Sequence, residues 1–120
     1  MFDIIYYETA IGNCPVEEFI NSLEPKFKAK TFRTISLLES NGNKLGMPFS
    51  CHLDDGIFEL RTQFSNNISR VLYFFLDGER AVLTHGFIKK TQKTPPEEIT
   101  KAKKYRKDYI SRLEDNHETV

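Results

Sequence analysis

At 120 residues, with 39% hydrophobic and 28% charged side chains and zero net charge, the chain can bury one core but not two. This composition excludes wholesale disorder, and no apolar run approaches the ~18–20 residues a membrane span needs. The opening MFDIIYYETA carries no basic leader ahead of its apolar stretch, so it does not read as a signal peptide, and a single domain over 1–120 is expected.

In chain order, residues 2–7 are aromatic and β-branched and read as a short strand. Pro15 then suits the first turn of a helix, with Cys14 at the cap position and Phe19, Ile20 and Leu23 on one face. Pro25 restarts a second helix whose inward residues include Phe27, Ile35 and Leu38, and Gly42 terminates it. The two form a helical hairpin. From 41 to 50 the pattern becomes loop, and then three runs rich in β-branched and aromatic residues follow at 56–64, 70–76 and 80–90. Asp77-Gly78 between two of them is a hairpin signal, and the three read as an antiparallel meander. Thr94-Pro95-Pro96-Glu97 has the capping-box pattern, with Thr94 as cap. A last helix with Ile99, Ala102, Tyr109 and Leu113 inward is expected, fraying over the final EDNHETV. The fold class is therefore α+β: a small antiparallel sheet with an N-terminal helical hairpin and a C-terminal helix.

Neutrality hides an asymmetry. Residues 85–113 hold nine Lys/Arg against three acids, a balance of +6, so the remainder carries −6. A basic segment on a neutral chain suits a polyanion, although a solvated helix face would show the same charge. Strand alternation sorts the candidates further. Ile57, Glu59, Arg61 and Gln63 share one face of their strand, and Arg70, Leu72 and Phe74 one face of the next. Leu83, His85, Phe87 and Lys89 share a face of the third, opposite Val82, Thr84 and Ile88. If the three faces coincide, two arginines, a lysine, a histidine and a carboxylate meet, beside the aromatic surfaces of Phe74 and Phe87.

Each piece alone also fits a plain role. Glu59 and Arg61 can be an ion pair, Arg70 a solvated strand start, and His85 a hydrogen-bonded core residue. Lys89 and Lys90 can guard a strand end against edge-to-edge pairing. Two cysteines, Cys14 and Cys51, make no disulfide framework, which points to a reducing, cytoplasmic home. Together with His52, His85 and His117 they show no metal-ligand spacing. There is no Walker loop, G-x-G-x-x-G or G-x-S-x-G, so neither metal nor cofactor is expected.

Several stretches together become specific: CPVEEFINSL, GIFELRTQF, RVLYFF and VLTHGFIKKTQKTPPEEITKAKKYRKDY. They resemble the HigB-like branch of the RelE toxin superfamily, which includes phage-derived Gp49-like proteins. The resemblance implies a sheet with helices on one face and an RNA-binding cleft on the other. It implies a type II toxin, an endoribonuclease that cuts mRNA on the ribosome. Its cognate partner would be a helix-turn-helix, HigA-like antitoxin, with operator DNA contacted only through that partner. In the chemistry so implied, a 2′-hydroxyl attacks the adjacent phosphorus and a 5′-hydroxyl leaves. Arg61 and Arg70 would hold phosphate oxygens bidentately, and Lys89 and Lys90 would bind phosphate at the end of the last strand or share in proton transfer. Some relatives use a Glu/His pair for that transfer, which points to Glu59 and His85, while others rely on lysine, arginine and a tyrosine. Phe74, Phe87 and Lys93 would contact RNA. No tyrosine stands where shorter relatives carry a terminal catalytic one, so a non-catalytic RNA- or ribosome-binding module on the same scaffold is the alternative. A structural phage protein is a third.

Overall fold

The computed structural model describes residues 1–89 and 93–118, with the backbone alone at 116–118. Five strands form one sheet: β1 (Asp3–Tyr6), β2 (Ser50–Asp54), β3 (Ile57–Phe64), β4 (Asn67–Leu76) and β5 (Arg80–Lys89). Three helices accompany them: α1 (Pro15–Asn21), α2 (Pro25–Asn41) and α3 (Pro96–Glu118). The strand order is β1-β5-β4-β3-β2. The last four strands run antiparallel in sequence, but β1 lies parallel to β5, with Ile4 opposite Ala81 and Tyr6 opposite Leu83. The sheet is thus mixed, not purely antiparallel. No described helix is long and apolar enough to cross a membrane.

The helix starts follow their prolines. Pro15 and Pro25 each open a helix, where a missing N–H leaves nothing unsatisfied, and Cys14 occupies the cap of α1. Gly42 closes α2 at φ 55°, a left-handed conformation that also lets the chain pass Phe2. A Cβ at Gly42 would fall 1.9 Å from the Phe2 ring. Asp77-Gly78 turns β4 into β5 with positive φ at both residues, as the sequence led us to expect. Asp55-Gly56 does the same between β2 and β3, with Asp54 opposite Ile57. β2 itself was missed because its half-exposed SCHLD run is short and polar.

Two cores flank the sheet. Beneath α1 and α2 lie Val16, Ile20, Ile35 and Leu38 with Leu60, Val71, Tyr73, Ala81 and Leu83. On the other face Ile57, Leu72, Phe74 and Val82 pack with Tyr7 and Ala102 of α3. The face expected to be an open cleft is therefore partly roofed by α3. That helix is anchored by stacking of Tyr105 on Tyr7, ring centres 4.7 Å apart, and by Tyr109 against Phe74 at 6.2 Å. It begins at Pro96, so Thr94 is not its cap, and it reaches Glu118, within the segment expected to fray.

A bulge in β5 joins the two cores. His85 sits opposite Leu72 while Leu83 sits opposite Tyr73, which leaves Thr84 as an extra residue. The Thr84 hydroxyl donates to the Leu72 carbonyl at 3.1 Å, so the interruption leaves that acceptor satisfied. Simple alternation puts Leu83 with His85. The bulge instead sends Leu83 to the α1/α2 core and His85 to the α3 face.

Candidate functional site

The three-strand convergence holds. Arg61 is the direct cross-strand neighbour of Arg70, Phe87 is the neighbour of Arg70 on the other side, and His85 and Glu59 both flank Leu72. Directly paired residues share a face, so Glu59, Arg61, Arg70, His85 and Phe87 lie together, and Lys89 joins them through its pairing with Ile68.

Two arginines facing each other on adjacent strands repel, and Glu59 resolves the conflict. Both of its carboxylate oxygens accept from Arg70 Nη1 at 3.1 Å, and Oε2 lies 3.5 Å from Arg61 Nε. Thr94, just ahead of α3, donates its hydroxyl to Glu59 Oε1 and stands 3.4 Å from Arg70 Nη1. Arg70 is 0% exposed and Glu59 2%, whereas the Arg61 side chain keeps 13%. The three charged groups sum to +1. A carboxylate between two guanidiniums in a closed space is held by geometry, since desolvating three charges is expensive unless each is bonded.

His85 is sealed in its own way. Its Nε2 faces Glu98 Oε1 of α3 at 3.1 Å, and its Nδ1 faces the Thr84 hydroxyl at 3.1 Å. Burial lowers its pKa below the ordinary histidine value, with Lys101 pushing the same way, while Glu98 opposes the shift. Burial therefore favours the neutral ring. Tyr105 meets it edge-on at 5.7 Å, and Phe87 stacks at 6.2 Å.

Around this sealed cluster the rim is open and basic. Lys89 ends β5 exposed, and Lys93 is exposed just before Thr94. Part of the basic segment is consumed by internal pairing. Lys103 meets Asp54 at 2.5 Å and Arg106 meets Asp55 at 3.0 Å, pinning α3 to the β2–β3 turn. Arg112 and the Tyr7 phenol both bond Asp108, and burial with that carboxylate pushes the phenol up to about 12. Lys101, Lys104 and Lys107 recur along the exposed side of α3.

Arg61, Arg70, Glu59, His85, Phe87 and Lys89 are thus gathered on one face. Phe74 shares that face but is 2% exposed within the α3 core, so no base can reach it. Lys90 lies outside the described residues. Sequence reasoning passed over Thr94 and Glu98 as site residues, reading Thr94 only as a helix cap. The remaining signal was Glu98 itself, a carboxylate one turn into a helix that had to return over the sheet. Among the described residues, no three His, Cys, Asp or Glu side chains gather so as to hold a metal ion.

An α+β chain with a mixed sheet and a cationic cluster on one face is compatible with a toxin-like fold. The family model described as phage-derived protein Gp49-like (DUF891) matches residues 18–107. The chain belongs to that family, which is RelE-like and toxin-like. No curated protein matches it significantly.

Proposed function

We propose that this protein is the HigB-like toxin of a type II toxin-antitoxin pair and that it cuts mRNA on the ribosome. The observation that carries the reading is the convergence of Arg61, Arg70 and Lys89 from three strands on one face. In the cut, the 2′-hydroxyl gives up its proton as its oxygen bonds to phosphorus, the P–O5′ bond breaks, and the 5′-oxygen leaves with a proton in exchange. This chemistry needs cations where charge grows on the phosphoryl oxygens and a strand held in line. Arg61 and Lys89 meet the phosphate, with Lys93 on the adjoining rim. Glu59 and buried Arg70 act through Arg61, fixing the orientation of its guanidinium. A helix-turn-helix antitoxin silences the toxin and alone carries it to operator DNA.

Inducing the protein should arrest growth and leave new 5′ ends inside translated messages. Lys89→Ala should lower cutting by roughly a hundredfold, the scale of losing one group that stabilises transition-state charge. Exposed Lys89 suits this test better than buried Arg70, whose removal would also unfold the protein. Harmless induction with intact messages would sink the nuclease reading. A small helix-turn-helix protein encoded alongside should co-purify and abolish toxicity, and co-purification without that effect would refute the partner assignment.

One observation favours a second reading. The Glu59 and His85 pair, which would move protons, is closed off by Thr94 and Glu98. A chain that only binds RNA or the ribosome needs no accessible base. It would bind with strong salt dependence and yield no cut ends.

A further inference from the structure

β2 stops pairing where Ser50 meets Leu60, and past that point the outer edge of β3 borders a hollow of about 410 Å³. The volume is in the range of small-ligand sites. Its walls come from α2, the 47–49 loop and the ends of β3 and β4, and they include Lys30, Phe49, Arg61 and Gln63 but no carboxylate. A second hollow of about 390 Å³ beside β1 has the opposite character, with Glu39 and no cation in its lining.

We propose that the β3-edge hollow binds one nucleotide of an RNA strand, its base on Phe49 and its phosphate between Lys30 and Arg61. Three features support this. Phe49 and Met47 are 40% and 65% exposed, whereas most large apolar side chains of this chain are buried. An exposed ring beside cations is the combination that single-stranded nucleic acid uses, because every base has a face to stack and every link a charge to neutralise. Lys30 is held over the hollow by donating to the Gln63 carbonyl at 2.8 Å. The hydroxyls of Thr34 and Thr62 on the back wall are already bonded, Thr62 to Thr34 and Thr34 to the Lys30 carbonyl, so that wall demands no polar ligand.

Arg61 connects this hollow to the buried cluster, since it lines the one and its Nε stands 3.5 Å from Glu59 in the other. A nucleotide seated there would present the neighbouring link of the strand to the Arg61–Lys89 rim. The inference rests on the RNA-contacting reading above and adds where the strand flanking that rim runs.

The test is amide chemical-shift mapping of the full chain with each of the four ribonucleoside 5′-monophosphates, and with inorganic phosphate as control. Saturable shifts at 47–49 and 61–63 are expected from at least one nucleotide. Phe49→Ala should weaken them roughly tenfold, the scale of one lost base stack. Lys30→Ala should weaken them too and flatten the salt dependence. Both side chains are exposed, and the spectra themselves report whether each variant is folded. The proposal is overturned by silence from all four nucleotides, by equal affinity in both variants, or by phosphate alone reproducing the shifts. Message cutting on induction is scored separately. Cut messages with a silent hollow overturn this inference alone, and a responsive hollow in a chain that cuts nothing overturns the nuclease reading alone.

Discussion

Arg61 and Arg70 stand opposite each other on neighbouring strands and share one carboxylate, yet they live in different solvents. Arg70 has no exposed surface and is bonded to Glu59 beside Thr94, while Arg61 reaches from the same carboxylate to the rim of an open hollow. A buried arginine can hold geometry but cannot meet a substrate unless the protein opens. A rim arginine can meet a substrate, and its orientation is worth something only if the buried one fixes it. The pair therefore divides into a holder and a contact, although the residue types are identical.

The division can be broken from the buried side first. Glu59→Ala should cost about 3–5 kcal/mol, because it strands Arg70 in a closed space without its carboxylate. Denaturant melts would show it. Replacing both partners by apolar residues, Glu59→Leu with Arg70→Met, should recover much of that loss. A double variant as unstable as the single one would mean the pair stabilises the fold outright. Thr94→Val keeps the shape but removes the hydroxyl that bonds Glu59, and should cost about 1–3 kcal/mol, the price of a buried acceptor left short of a partner.

A third test uses pH. Burial lowers the His85 pKa below 6.5, so the unfolded chain binds a proton that the folded chain refuses. Stability is then complete above about pH 6.5 and falls as pH drops below it, until the folded histidine also protonates. Comparing unfolding midpoints at neutral pH and near pH 5 should show a slope that shrinks in His85→Gln. An unchanged slope would place the pH dependence elsewhere. The smallest structural effect belongs to the rim: Arg61→Ala should shift stability by about 1 kcal/mol or less while lowering message cutting by roughly a hundredfold. Loss of folding in that variant would erase the distinction between holder and contact.

Much of this face was legible in the sequence. Alternation across the short β3–β4 turn brings Glu59, Arg61 and Arg70 to one side, but counted from the Asp77-Gly78 turn it would put His85 on the opposite face, and only the bulge at Thr84 returns it. What alternation could not show was the roof. Yet the same face also carries Ile57, Leu72 and Phe74, and three large apolar side chains there already demanded a second core. The stripe of Ile99, Ala102 and Tyr109 on the last helix was its complement, and reading the two together would have placed α3 over the sheet. Asp77-Gly78 and Asp55-Gly56 make a similar contrast. Both turn the chain through left-handed conformations, but only the first stood between obvious strands. The parallel pairing of β1 is a matter of tertiary contact, and no local pattern encodes it. The bulge was equally hidden, because an inserted residue leaves hydrophobicity almost unchanged.

That inserted residue has a consequence for how β5 can vary. Residues 80–83 and 85–89 are two lengths of strand set out of phase by one step, with Thr84 as the spacer. Excising Thr84 would leave Leu83 opposite Tyr73 and His85 opposite Leu72 in a regular ladder, every side chain keeping its face, with only the Thr84 hydroxyl's contacts to the Leu72 carbonyl and His85 Nδ1 removed. Drawing Thr84 into the ladder opposite Leu72 would instead turn His85 and Phe87 toward α1, where a Cβ at Gly86 would fall 2.3 Å from the Phe19 ring, so it is the exclusion of one residue from pairing that keeps the chemistry-bearing half of the strand right side out.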